Sequence, residues 1–439
     1  MRYLPFVLLL VTPHFALAQT PASAAPLTLE EAIAQGIANS QRLAELAARA
    51  GAADFAVAGR RASEMPAVSV QGGYARTNHV QEFSISFPGR LPQIVYPDIP
   101  NNYRARLDLL WPIYTGGRGD ALERAARAER GAIASDVEAA RADLRLEITR
   151  AYWAAVTAGE TEAVVRRSVD AVEAHAKDVR ARLEAGLVPP NEVASADAQA
   201  SHQRLLALEA ATQRGIALAD LARLTGRDAV AVAAPPPAAD RTGATPAPPA
   251  SELVARAVRD RAERQALEQR AASADARVAA VAAGSRPQVA LGSGYDYAQP
   301  NPRLFPRSRE FKPSWDVSVN VSWTLWDGGR RAAEQGEAEA TASALKTRVV
   351  DFDRQVTFEV RARALELESS RQAVLAADDG IRAAVEAERV VGERYNAGVL
   401  TSTEVLDALV ARLQAELDRA RAIASVRLAE ARLERALGR

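Results

Sequence analysis

Apolar and polar residues alternate without a break across residues 315–325. Trp315, Val317, Val319, Val321, Trp323 and Leu325 hold the odd positions, and Asp316, Ser318, Asn320, Ser322 and Thr324 the even ones. A period of two predicts a strand with one apolar and one polar face. Residues 103–113 repeat it: Tyr103, Ala105, Leu107, Leu109, Trp111 and Ile113 face one way, while Arg104, Arg106 and Asp108 face the other. Residues 68–74 and 289–297 read as shorter, glycine-richer partner strands. Elsewhere the period changes. Val165, Val169, Val172, Ala176, Val179 and Leu183 are spaced by fours and threes, and Val360, Leu367, Val374 and Ile381 recur every seven. Heptads of this kind predict coiled-coil helices. They lie in two proline-free stretches, about 119–185 and about 331–397, each long enough for a helix of roughly 100 Å.

These elements come in two copies. Trp111-Pro112-Ile113-Tyr114-Thr115-Gly116-Gly117-Arg118 returns as Trp323-Thr324-Leu325-Trp326-Asp327-Gly328-Gly329-Arg330, a shift of 323 − 111 = 212. Arg182-Leu183-Glu184-Ala185-Gly186 returns as Arg394-Tyr395-Asn396-Ala397-Gly398, and Glu192-Val193 as Glu404-Val405, at the same shift. Further upstream Asn39-Ser40 matches Asp260-Arg261, and Pro66 matches Pro287. A unit this long is a duplicated half-protein rather than a solenoid repeat. The first repeat, 19–226, reads as a helix over about 28–62 opened by a Thr28/Glu31 capping box, a hairpin at about 66–114, the long helix, a turn at 186–190 and a return helix. The second, 251–439, reads as a helix over about 251–283 with Ser251 at its N-cap, a hairpin at about 287–326, the long helix, a turn at 398–402 and a return helix. Gly116, Gly117, Gly328 and Gly329 mark the strand-to-helix turns. A proline-rich spacer at 227–250 joins the repeats.

The N-terminus and composition alter the picture in three ways. Residues 1–18 read as an export signal: Arg2, an apolar stretch over 6–11, and Ala16-Leu17-Ala18 before the cleavage point. With export, the strands' length and end aromatics suit a bilayer crossing. The chain has no cysteine, which excludes disulfides, thiol catalysis and a lipoprotein anchor. Lys+Arg and Asp+Glu both number 55, so net charge gives no reason to expect nucleic acid. The four histidines, His14, His79, His175 and His202, lack metal-ligand spacing, and neither a phosphate-binding loop nor a catalytic set is present. No enzyme activity and no cofactor are expected. Four strands cannot close a membrane barrel, and open edges are not tolerated in lipid, so membrane-spanning strands of this kind demand an oligomer. The residues alone also allow an exported non-channel coiled-coil protein, such as an adaptor or adhesin-like stalk, though amphipathic strands and a duplication argue against it.

The signal, the duplicated unit and the Trp…Gly-Gly-Arg strand end together resemble the outer membrane factor (TolC) family over nearly the whole mature chain. The resemblance implies an α+β membrane protein. In it, four transmembrane strands per chain enter a trimeric twelve-strand barrel in outer-membrane lipid, and the long helices form an antiparallel coiled-coil barrel in the periplasm. It implies a homotrimeric export duct that works with a periplasmic adaptor (membrane fusion protein) and an inner-membrane transporter of RND or ABC type, for drugs, metal ions or secreted substrates. It places a periplasmic gate at Glu404, Asp407, Glu192 and Tyr395, with Tyr395 bonded to Glu192, and adaptor-contacting tips at Gly186, Leu187, Gly398 and Val399. Leu400 stands where the best-known members have an arginine, which implies a moved or missing salt bridge. Read as residues alone, Glu404 and Asp407 fit better as first-turn acids offsetting a helix dipole, with Thr403 or Thr401 as the cap, while the glycines fit equally well as helix C-caps.

Overall fold

The computed structural model describes residues 26–89, 91–227, 231–233 and 248–439; the expected signal and most of the spacer lie outside them. Its elements are α1 (Leu29–Asn39), α2 (Gln41–Ala62), β1 (Ala67–Arg76), β2 (Phe83–Ile85), β3 (Gln93–Tyr96), β4 (Asn101–Tyr114), α3 (Arg118–Glu184), α4 (Pro190–Thr225), α5 (Ala250–Asp260), α6 (Ala262–Ala282), β5 (Gln288–Gln299), β6 (Lys312–Ser322), α7 (Arg330–Asn396) and α8 (Ser402–Ala436). A 3₁₀ turn at Ala283–Ser285 precedes β5. The architecture is α+β: long helices plus one four-stranded antiparallel sheet in the order β1-β4-β5-β6. Among the described residues no helix is long and apolar enough to cross a membrane.

The chain divides into two compact units. One holds residues 40–143, 247–366 and 432–439. Its sheet carries the two hairpins side by side, and β4 pairs with β5 across the repeat boundary. The pairings Val70↔Leu107, Leu107↔Tyr295 and Tyr295↔Trp315 put one residue of each strand in a row on the same face. That face is apolar and exposed: Val70, Trp315, Val317, Val319 and Val321 are each more than 60% accessible. The opposite face carries glycine, serine and one ion-pair cluster. Asp296 takes two bonds from Arg104, at 2.5 and 2.9 Å, and one from Arg106 at 2.5 Å. Arg106 also reaches Asp108 at 2.6 Å, and Arg303 reaches Asp316 at 2.7 Å. The cluster ties β4 of the first repeat to β5 and β6 of the second. In the same unit Leu253, Ala257, Val356, Val360, Ala436 and Leu437 form a small core.

The other unit holds residues 26–39, 144–233 and 367–431 among those described. It is entirely helical apart from a single bridge between Leu27 and Val232. Its cores are heptad layers shared by four helices: Val172 and Ala176 of α3 pack with Ala196 and Ala200 of α4 and with Leu406 of α8, and Val179 of α3 packs with Tyr395 of α7 and Val405 of α8. Val172 and Val179 are fully buried, each removing about 1.5–3 kcal/mol worth of apolar surface from water.

The structure departs from the sequence reading at five places. The helix expected over 28–62 breaks at Ser40, whose backbone is extended and whose side chain caps Leu43 N–H at 3.3 Å. The helix expected over 251–283 breaks at Arg261, also extended. These two positions correspond in the repeats (40 + 221 = 261). The return helices end against the same breaks: Gly226 beside the Asn39 side chain and Gly438 beside the Asp260–Arg261 backbone, both at positive φ. A Cβ on either would come within about 3.1 Å of its neighbour. Ser251 lies inside α5, whose N-cap is Pro249, because the helix already starts at Ala250. The strand expected to run to Leu325 stops at Ser322. Its partner β5 begins only at Gln288, after Pro287, which has no N–H to extend the ladder. Trp323 instead donates its ring N–H to Ser285 O at 2.9 Å. Finally, the 77–100 connection contains the β2–β3 hairpin, which sequence spacing did not signal.

Candidate functional site

The four strand-to-helix glycines fold alike. Gly116 and Gly328 have φ of 69° and 68°, and Gly117 and Gly329 of 86° and 88°. Positive φ costs a Cβ-bearing residue about 1–2 kcal/mol, so these turns are glycine-dependent. The helix starts are capped in parallel: Thr115 Oγ1 accepts from Gly119 N–H at 3.2 Å, and Asp327 Oδ2 from Arg331 N–H at 3.3 Å.

The turns at the far ends of α3 and α7 are also a matched pair. Gly186 and Gly398 both have φ of 75°. Leu187 N–H bonds to Arg182 O at 2.9 Å and Gly186 N–H to Leu183 O at 2.9 Å; Val399 N–H bonds to Arg394 O at 2.9 Å and Gly398 N–H to Tyr395 O at 3.0 Å. This is the Schellman pattern, and it leaves Leu187 and Val399 at 73% and 70% exposure. Two apolar side chains are thus held outward by rigid turns.

Beyond the glycines the two turns diverge, and one residue explains how. Glu192 and Glu404 both sit in the first turn of a return helix. Glu404 accepts Thr401 N–H at 2.7 Å and Thr401 Oγ–H at 3.0 Å, a capping interaction. The residue equivalent to Thr401 in the first repeat is Pro189 (401 − 212), which has no N–H. The Glu192 carboxylate therefore has no cap donor, and its Oε2 is buried without a hydrogen bond. Asp407 is exposed on α8 and makes no ion pair or side-chain hydrogen bond among the described residues.

Glu192 belongs to a cluster that joins both repeats. Tyr395, at the end of α7, is 5% exposed and packs with Val179 and Val405. The Arg182 guanidinium lies over its ring at 4.2 Å, and the His175 ring meets it edge-on at 5.3 Å. Arg182 also donates to Asn396 Oδ1 at 3.0 Å and to Asp178 Oδ2 at 2.9 Å. His175 Nε2 is 2.8 Å from Ser402 Oγ, and Ser402 is buried at the start of α8. Burial holds the His175 imidazole below its ordinary value; Arg182 acts in the same direction, while Asp178, Ser402 and Glu192 oppose it. Burial also raises the Tyr395 phenol.

The structure brings Glu192 and Tyr395 into one cluster but not into the bond implied by resemblance: the Tyr395 hydroxyl has no hydrogen-bond partner. Arg182 takes the ring face instead. Glu404 and Asp407 are exposed on α8, and Glu404 is bonded to Thr401 instead. Sequence reasoning missed His175, Arg182 and Ser402. Arg182 and Arg394 were visible only as a repeat echo, and nothing local marks His175 as facing a residue 227 positions away.

Known proteins can now be set beside this geometry. The family model described as "Outer membrane efflux protein" matches residues 32–227 and 253–439, both repeats on either side of the spacer. The chain belongs to the outer membrane efflux protein family. Outer membrane protein TolC of Vibrio cholerae is 24% identical to it over 388 residues, covering 87% of this chain and 83% of that protein. The outer membrane protein VceC of Vibrio cholerae superposes with a TM-score of 0.75 at 19% identity, covering 93% of this chain and 96% of that one. The open-state MtrE channel of Neisseria gonorrhoeae does so with a TM-score of 0.76 at 20% identity, covering 93% and 88%. The efflux-protein fold therefore extends through the sheet, the long helices and both turns.

Proposed function

We propose that this efflux-family chain is one third of a trimeric export duct. The carrying observation is the sheet. Its four strands are apolar and exposed on one face, polar on the other, and leave β1 and β6 as open edges. In lipid every backbone group needs a partner, so such edges must pair with other copies. Three copies pool twelve strands, with the apolar face toward outer-membrane lipid and the Arg–Asp face toward water. Exposed apolar residues on the helices, among them Leu205, Leu208, Phe358 and Leu365, fit burial against neighbouring copies. The long helices extend into the periplasm. There Leu187 and Val399, presented by Gly186 and Gly398, form docking knobs for a periplasmic adaptor coupled to an inner-membrane RND or ABC transporter. Glu192, Tyr395, Glu404 and Asp407 lie at the periplasmic gate. Three copies of Glu404 and Asp407 would ring an aperture with acid, which favours cations.

The test is detergent extraction of outer membranes, native mass measurement, and planar-bilayer recording of the purified species. A trimer giving long-lived conducting events is the expected result. A monomer recovered in the soluble periplasmic fraction would end this reading and favour an exported stalk.

A further inference from the structure

We propose that Arg182 and His175 of α3 form an acid-released clasp that holds the α3–α4 coil of a protomer to its α7–α8 coil. The proposal rests on the channel reading above and names a regulation of the same gate. Four contacts carry it, and all cross between the repeats. Arg182 stacks on Tyr395 and bonds Asn396, both at the end of α7. His175 bonds Ser402 at the start of α8. Both touch Tyr395, so its ring is held between a guanidinium and an imidazole. The clasp is one-sided: the repeat equivalent of His175 is Ala387 (175 + 212), so the second coil has no matching imidazole.

The groups around His175 set the response to acid. From α3 come Asp178 and Arg182, from α4 Glu192, from α7 Tyr395, and from α8 Ser402. With neutral imidazole, Arg182 is the one cation on the Tyr395 ring among the described residues. Protonation puts a second cation in a half-buried space beside it. Asp178 gives one oxygen, Oδ2, to Arg182, so an imidazolium is drawn away from Ser402 toward the other Asp178 oxygen and the uncapped Glu192 carboxylate. That turn breaks the contact with Ser402 and frees α8 from α3. Pro189 thus has a consequence at a distance: by denying Glu192 a cap, it keeps a carboxylate available to the histidine.

The experiment is single-channel recording of the purified full-length trimer between roughly pH 7.5 and 5, a range that reaches well below the ordinary histidine value of about 6.5 because burial holds His175 under it. Most carboxylates stay ionised there, since they titrate near ~4. Wild type, His175→Gln, Arg182→Ala and Arg182→Lys are compared, with assembly of each confirmed by native mass. The expected result is a severalfold rise in wild-type conductance as pH falls. His175→Gln, which keeps a hydrogen bond to Ser402 but cannot titrate, should stay low throughout, and Arg182→Ala should be high at both ends. Arg182→Lys keeps charge without the planar stack and serves if the alanine variant does not assemble; it should lie between. Identical pH curves for wild type and His175→Gln, or arginine variants as closed as wild type, would overturn the clasp while leaving the channel intact. Well-assembled trimers that never conduct would overturn the channel and the clasp with it.

Discussion

At the residue scale, duplicated positions with the same backbone do not carry the same constraint. Gly116 and Gly328 share φ within a degree, yet a Cβ on Gly116 would lie 2.8 Å from Ala283 O while one on Gly328 meets nothing within 4 Å. Both alanine variants bear the positive-φ cost of about 1–2 kcal/mol, and Gly116→Ala adds a backbone clash. Thermal melts in detergent should show Gly116→Ala lower than Gly328→Ala, and equal midpoints would refute the clash. His175 gives a second residue-scale prediction. Its folded value lies below the unfolded value of about 6.5, so between the two the unfolded chain binds more protons. Its stability contribution is complete above about pH 6.5, falls as the pH drops below that, and levels off beneath the folded value. His175→Gln should flatten that part of the melting-temperature profile.

At the element scale, the sheet is held across the repeat boundary by Asp296, whose side chain is 4% exposed between Arg104 and Arg106. Asp296 is the one well-covered member: Arg104 is half exposed and Arg106 keeps Asp108, so losing Asp296 costs less than breaking a fully buried pair but more than losing a surface one. Asp296→Ala should therefore lower the unfolding temperature of the detergent-solubilised protein markedly. The exposed pair Arg389–Glu386 on α7 is screened by solvent and adds little, so Glu386→Ala should leave the protein near wild type. A comparable shift from both would mean the sheet cluster is no more than surface charge. The strand periods made the sheet legible because alternation is a local property. The pairing of β4 with β5 was not, since two strands separated by α3, α4, α5 and α6 leave no local mark of adjacency. The helix breaks at Ser40 and Arg261 were half legible: the repeat alignment joined the two positions, but both windows read as continuous helix.

At the scale of the whole molecule, the apolar face decides where the protein resides. Val319→Arg puts a charge at mid-strand on the lipid side, a change that costs about 2–4 kcal/mol at a bilayer midplane. Ser318→Arg, one residue earlier, puts it on the water side. Outer-membrane assembly, followed by heat-modifiable migration on gels, should fall for Val319→Arg and hold for Ser318→Arg. Equal loss would mean the sheet packs against protein on both faces. The proposed gate was legible in part. Glu192, Tyr395, Glu404 and Asp407 were found through the repeat register and the family resemblance, and two of them prove to share a buried cluster. Their partners His175, Arg182 and Ser402 were not found, because each contacts residues more than 200 positions away.

The sequence by itself determined the elements and their duplication: period two for the strands, heptads for the long helices, glycine wherever the chain must adopt positive φ. These are properties of a few consecutive residues and their backbone sterics. The capping of Glu404 by Thr401, and its denial to Glu192 by Pro189, are local in the same way. Only the tertiary structure decided that the two hairpins form one sheet, that a Glu192 carboxylate oxygen is buried, and that α3 meets the ends of α7 and α8. Those outcomes depend on which side chains meet after the chain has turned back on itself.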